Sequence, residues 1–151
     1  MLNNVAVQRV IALIERHRSV VDFADFGDGA CPEAIVATER AIGSPLPESY
    51  KWWLANYGGG EIGGEEIFSV YAEDPEDIGG GDIVRNYRLS VENGADPTLI
   101  PLCHSDLDGV FAFRIDHGRP GNEYPVLGLA TGETYADDFL EFIEKRINLF
   151  A

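Results

Sequence analysis

Between Glu33 and Tyr71 the chain reads E-A-I-V-A-T-E-R-A-I-G-S-P-L-P-E-S-Y-K-W-W-L-A-N-Y-G-G-G-E-I-G-G-E-E-I-F-S-V-Y, and this punctuation leaves few folds open. Pro32 can take the first position of a helix, with Glu33 in its first turn facing the positive end of the dipole. Ile35 and Ile42 share a face of that helix, and Gly43 ends it as a left-handed cap. Pro47 can open a second helix, with Glu48 just inside. Tyr50, Trp53, Leu54 and Tyr57 then repeat the i, i+3, i+4, i+7 spacing of a buried stripe. Four side chains of this size bury apolar area worth several kcal/mol at about 25 cal/mol per Å². Gly58, Gly59 and Gly60 stop the helix, and Ile67–Tyr71 is rich in β-formers. The expectation is two helices, over about 33–42 and 47–57, meeting at a Gly-Ser-Pro-Leu-Pro corner and released into a strand.

The flanks extend this pattern. Val7, Val10, Ile11 and Ile14 predict an amphipathic helix over about 3–18. The Asp- and Gly-rich stretch D-F-A-D-F-G-D-G reads as a loop, as does A-E-D-P-E-D-I-G-G-G after Tyr71. Ile83, Val84, Tyr87 and Val91 suggest a short helix. Three apolar runs follow, Leu99–Cys103, Val110–Ile115 and Tyr124–Leu129, separated by the turn clusters H-S-D-L-D-G and D-H-G-R-P-G-N. Short turns between adjacent strands imply antiparallel hairpins, not β-α-β units. A last helix is predicted from about Tyr135, with Asp137 and Asp138 in its first turn, Phe139, Phe142 and Ile143 on its apolar face, and Lys145 and Arg146 in its last turn.

Length and composition narrow the class. At 151 residues the chain is sized for one domain, residues 1–151. A chain of this size buries about 68–70% of its unfolded surface, enough to fold without metal or disulfide. Cys31 and Cys103 form no C-x-x-C or metal-ligand pattern; their spacing leaves a bridge open, but reduced thiols in a cytoplasm are the expectation. The opening M-L-N-N-V-A-V-Q-R-V has no basic segment followed by an apolar run, so no secretory leader is expected. No apolar run approaches the length of a membrane span.

Each motif-like stretch has a plainer structural account. Gly58-Gly59-Gly60-Glu61-Ile62-Gly63 satisfies G-x-G-x-x-G, but a dinucleotide loop needs a strand before it and a helix after it. Here the order is reversed and Glu61 would repel a pyrophosphate, so a helix cap and turn is the better account. Asp106-Leu107-Asp108-Gly109 resembles the opening of a calcium loop. Position 12 of that loop would be His117 where a Glu is required, so a hairpin turn is preferred. His17, His104 and His117 stand alone. Cys103, His104 and Asp106 are close in sequence, but neighbours in a strand point to opposite faces. Trp52 and Trp53 are adjacent on a helix, so one is expected inside and one at the core margin. No cofactor, no metal and no catalytic residue is expected.

Charge placement is more informative. The net charge is −15. Residues 52–113 carry twelve acidic and two basic side chains, a net of −10, whereas residues 1–51 carry −2 and 114–151 carry −3. Between Lys51 and Arg85 there is no basic residue and there are eight acidic ones: Glu61, Glu65, Glu66, Glu73, Asp74, Glu76, Asp77 and Asp82. Such a charge repels nucleic acid and anionic membranes and favours a cationic partner. Two readings remain open, a well-solvated acidic loop and a docking face that speeds encounter with a cationic protein. On the second reading those eight residues, with Asp106 and Asp108, are the candidate partner-binding residues.

The order of these pieces resembles the SUKH superfamily, the fold of a fungal cell-wall-synthesis regulator and of many bacterial toxin-immunity proteins. The resemblance is carried by Glu39, Gly43, Leu46-Pro47, Tyr50, Leu54 and Gly58–Gly60. Downstream it continues through Leu99-Ile100-Pro101, Asp108-Gly109-Val110-Phe111, Phe139 and Phe142, spanning roughly residues 33–143. It implies an α+β domain, an antiparallel sheet flanked by helices, and a binding protein with no catalytic motif to transfer. It names no site residue. The function it implies is cytoplasmic immunity, in which the chain binds and neutralises a cognate toxin domain, basic and a nuclease in many such systems. The alternative is a non-catalytic regulatory adaptor of the cell-wall-regulator type. Neither direct nucleic-acid binding nor membrane insertion is expected, and the oligomeric state is left open.

Overall fold

The computed structural model describes residues 2–70 and 81–151. Helix α1 spans Asn4–Arg16 and buries Val7, Val10 and Ile14, with the Asn3 side chain accepting from the N–H groups of Val5 and Ala6 at its start. Strand β1 (Val21–Phe23) follows. Helices α2 (Pro32–Ile42) and α3 (Glu48–Asn56) flank the predicted corner. Gly43 closes α2 at φ 82°, a conformation that costs a glycine little, and its N–H bonds the Glu39 carbonyl. Next come β2 (Gly60–Ile62) and β3 (Glu65–Ile67), then α4 (Ile83–Glu92). Strands β4 (Leu99–Ser105), β5 (Gly109–Arg114), β6 (Val126–Gly128) and β7 (Glu133–Ala136) precede α5 (Phe139–Phe150).

The strands form a seven-stranded sheet in chain order, β1 to β7, every neighbouring pair antiparallel. This is the expected α+β arrangement, with β5 an interior strand. Helix α5 contacts α1, α3, β2 and β7, so it crosses one face of the sheet from near one edge to the other. The aromatic stripe of α3 fills the space between. Tyr50 meets Phe113 and Phe139 edge-on at 5.3 and 5.2 Å, and Trp53 meets Phe23 at 5.4 Å. Tyr50 and Leu54 are fully buried and Phe111 is nearly so, while Trp53 packs inside and Trp52 sits at the margin. The Tyr50 hydroxyl satisfies itself by donating to the Phe68 carbonyl at 2.6 Å.

Pro47 stands at the N-cap of α3 and supplies no side-chain cap. Glu123 does so from across the fold. Its carboxylate accepts from the Ser49 N–H at 2.8 Å and from the Ser49 hydroxyl at 2.5 Å. An anion at this end is also favoured by the helix dipole.

Four expectations are corrected. Val21–Phe23 is a strand, although Asp22 and Phe23 open the Asp- and Gly-rich stretch expected to be a loop; pairing with β2, not local pattern, makes it one. Of the strand expected at Ile67–Tyr71 only Ile67 is in β3, which runs Glu65–Ile67, because Gly63 and Gly64 turn the chain back and pair β3 with β2; Tyr71 lies outside the described residues. Tyr135 belongs to β7, and α5 starts four residues later with Asp138 as its N-cap, accepting from the Glu141 N–H at 2.9 Å. Lys145 and Arg146 are not in the last turn, since α5 runs on to Phe150. The acidic loop after Tyr71 lies outside the described residues.

Leu54→Ala is expected to lower the unfolding free energy by about 2–5 kcal/mol through transfer and cavity costs. Glu123→Ala is expected to cost about 0.5–2 kcal/mol through loss of the α3 cap. Urea titrations of both variants against wild type measure these losses as shifted midpoints at unchanged slope.

Candidate functional site

Side chains alternate across a strand, so each strand sorts its residues between the helix-covered face and the opposite, outer face. On β1 the inward residues are Val21 and Phe23, which leaves Asp22 outside and exposed. On β2 Ile62 is inward and Glu61 outward; on β3 Glu65 and Ile67 are inward and Glu66 outward. The register places these three carboxylates directly opposite one another, Asp22 against Glu61 and Glu61 against Glu66. The row continues. Ile67 pairs with Cys103 on the inner face, so one step along the ladder Glu66 lies beside exposed His104 on β4. His104 pairs with Val110 on β5, and the Leu129 N–H bonds the Val110 carbonyl at 2.9 Å. The outer face therefore presents one row across the strands: Asp22, Glu61, Glu66, His104, Val110, Leu129. It is acidic at one end and apolar at the other.

Directly opposed like charges destabilise a sheet, with Cβ atoms about 4.5–5.5 Å apart. Two such contacts in succession, with no cation paired to Asp22, Glu61 or Glu66 among the described ion pairs, are a standing cost. A cationic surface laid over the row would remove it.

The expected docking residues separate into four groups. Glu61, Glu66 and Asp106 lie on the surface, Glu61 only partly exposed. Glu65 and Asp82 do not belong to an exposed face. Asp82 is buried at the N-cap of α4, where it accepts from the Arg85 N–H at 2.9 Å. Glu65 points inward and meets Arg146 of α5, Oε1 to Nη2 at 2.5 Å, with both side chains buried. Asp108 lies between these groups: its carboxylate is exposed but bonds Arg146 Nη1 at 2.8 Å. Glu73, Asp74, Glu76 and Asp77 lie outside the described residues.

The Arg146 assembly was not anticipated, and it organises the β4–β5 turn. Glu65 Oε2 accepts from the Ser105 hydroxyl at 2.6 Å and from the Asp106 N–H at 3.0 Å. Arg146 Nη2 also donates to Ser105 Oγ at 3.2 Å, and that oxygen accepts from the N–H groups of Leu107 and Asp108 at 3.2 and 3.0 Å. The guanidinium carbon sits 5.0 Å from the Phe111 ring centre and 5.4 Å from that of Phe150. Burial by itself disfavours the charge on Arg146, but hydrogen bonds to Asp108, Tyr135 and Glu65 outweigh it and hold the guanidinium above its usual range. The bond to half-exposed Asp108 is screened by water and adds about 0–1 kcal/mol.

Cys103 faces the core, where burial pushes its thiol up to about 12, while His104 faces solvent on the opposite side, so the two cannot act together. Asp106–Gly109 is a tight turn in which Asp108 is committed to Arg146. The glycine run ends a helix and begins β2, and a side chain at Gly60 would strike Phe23 and the Asp22 carbonyl, so its glycines serve strand packing. Among the described residues no three His, Cys, Asp or Glu side chains are grouped to hold a metal ion, and no helix is long and apolar enough to cross a membrane.

Arg146→Met is expected to cost about 3–5 kcal/mol, because Glu65 is left charged and buried without a partner. The double variant Glu65→Met, Arg146→Met is expected to recover most of that loss, since it buries no charge. A thermodynamic cycle over the four proteins tests this; a loss in the double variant equal to the sum of the two single losses would show that the pair is not coupled.

Comparison with known proteins agrees with this architecture. A structure described as a crystal structure of a protein from Pseudomonas syringae pv. tomato superposes with a TM-score of 0.53 at 16% identity, over 77% of this chain and 81% of that one. At that identity the likeness concerns the fold. Residues 29–145 match the model of the SMI1 / KNR4 family (SUKH-1), which takes in the helix corner, strands β2 to β7 and most of α5. The chain belongs to the SMI1 / KNR4 family.

Proposed function

We propose that this protein is an immunity-type binding protein that neutralises a cognate, cationic toxin domain in the cytoplasm by covering its active surface. The observation that carries this reading is the row Asp22, Glu61 and Glu66, three opposed carboxylates on the outer sheet face, Asp22 and Glu66 exposed and Glu61 partly so. Members of the family are generally non-catalytic binding proteins, which is in keeping with a site built for contact. A toxin that acts on nucleic acid must be basic to hold phosphates. An acidic sheet face of this kind competes for the same surface. The overall charge of −15 adds long-range attraction to the local match.

The family match is equally compatible with a regulatory adaptor, and the two readings differ in stoichiometry. Immunity requires a tight one-to-one complex with one cationic domain; an adaptor makes weaker contacts with several proteins. The discriminating experiment starts from the coding sequence beside this one. If it ends in a small basic domain, that domain is expressed with and without this chain. Immunity predicts growth arrest relieved by co-expression and a one-to-one complex on sizing. Unrelieved arrest, or no complex, would leave the adaptor reading.

The charge row generates its own prediction. Exposed charges act over about 8 Å at physiological salt and govern association more than dissociation. Glu61→Gln with Glu66→Gln is expected to slow association with the basic domain and to flatten its salt dependence. Folding stability is expected to hold level or rise slightly as like-charge repulsion is relieved. Stopped-flow association at two salt concentrations measures both; equal rates and equal salt slopes would show a merely solvated face.

A further inference from the structure

The residue at the tip of the β4–β5 turn is Leu107, 72% exposed. Singly exposed apolar residues are ordinary and need no explanation. Val5 and Leu149, also exposed, are of that kind, since each lies on a helix surface. Leu107 differs in two ways. Turn tips are normally polar. This tip is also pinned from below by buried polar side chains. The N–H groups of Asp106, Leu107 and Asp108 are all satisfied by Glu65 and Ser105, and the Asp108 carboxylate is tied to Arg146. Glu65, Ser105 and Arg146 are 9%, 1% and 2% exposed, so the support lies inside the fold. The backbone that carries an exposed leucine is thus held in place without help from a partner.

Its surroundings define the partner. Val110 on the outer row is only partly exposed, Leu129 beside it is 39% exposed, and Ala130 of the β6–β7 turn approaches Gly109. Asp106 adjoins Leu107 in the turn, and Glu66 lies one strand away from His104 along the row. An apolar spot with Asp106 at its edge and the acidic end of the row beyond His104 fits an apolar pocket with cations along its rim.

We infer that Leu107, carried on this pinned turn beside Val110 and Leu129, is the apolar anchor of the protein interface, entering an apolar pocket with a lysine- or arginine-lined rim on a cationic partner. The inference rests on the binding-protein reading above and goes beyond it, because it names the residue that sets affinity. An anchor carried on a pre-ordered turn loses little loop entropy on binding, which is how a single leucine becomes decisive. The carboxylates then set the rate of encounter and Leu107 sets the lifetime of the complex.

Two measurements test it. In the free protein, amide hydrogen exchange at Leu107 and Asp108 is expected to be slow for a turn tip and to speed up in Ser105→Ala; fast exchange in the wild type would overturn the inference. With the basic domain encoded beside this chain as the probe, Leu107→Ser is expected to weaken binding roughly 10- to 100-fold, almost wholly in dissociation. Leu107→Met is expected to retain most of the affinity. Leu89→Ser, at an exposed leucine on α4, is expected to leave it within about twofold. Melting temperatures of the three leucine variants are expected to match wild type, since neither leucine is buried. If Leu107→Ser binds like wild type while Glu61→Gln with Glu66→Gln associates slowly, the acidic face stands and the anchor falls. If wild type does not bind that domain, the immunity reading falls and the anchor with it.

Discussion

Arg146 is the interaction on which the rest of the arrangement depends. It brings together parts of the chain 81 and 38 residues away, Glu65 on β3 and Asp108 in the β4–β5 turn. A buried guanidinium tolerates few geometries. Its carboxylate partner must be buried beside it, so the register of β3 is set, and the turn that supplies Asp108 must bend toward α5. Phe111 and Phe150 close over the remaining faces of the guanidinium. An apolar residue at this position would fill the volume, but it would not specify which strand residue or which turn conformation lies beneath α5. Here one buried charge serves as a positional constraint, and the stability of the fold rests mainly on the aromatic layer between α3, α5 and the sheet.

The same alternation that buries Glu65 exposes Glu66. Two adjacent glutamates in one short strand therefore have unrelated roles, one structural and one facing solvent. The dense acidic stretch of the sequence is not one surface. Asp82 caps a helix, Glu65 neutralises Arg146, Asp108 is partly committed to the same cation, and Glu61 and Glu66 remain outside. They are joined there by Asp22, which the charge census of the sequence did not single out because it lies forty residues from its neighbours in the row. Long-range pairing assembled the charged row, and linear density had suggested a different one.

Elements with a sustained period were legible in the sequence. The stripes of α1, α2 and α3, the Gly-Pro corner and the long strands β4 and β5 all carry several repeats of their signal. β1, β2 and β7 are three or four residues long, too short for a period, and their conformation comes from their neighbours in the sheet. Two misplaced side chains did leave a readable trace. Ile67 inward implies Glu65 inward, two residues away on the same face. The apolar stripe of α5 runs Phe139, Phe142, Ile143, Arg146, Ile147 and Phe150, which puts Arg146 at a core position. An arginine at such a position calls for buried carboxylates. That signal was overridden by the apparent fit of a basic residue near a helix end.

The order of strands in the sheet has a consequence for how the protein folds. Each strand pairs with the one before it in sequence, so most of the sheet forms by closing short loops, each at modest entropic cost. The Glu65–Arg146 contact spans 81 residues and requires both the sheet and α5 to be in place. It therefore belongs to the end of the folding route. An interaction made that late contributes little to the speed of folding and most of its effect to the barrier against unfolding. The buried arginine acts as a latch: it governs how long the native state lasts once the meander has assembled.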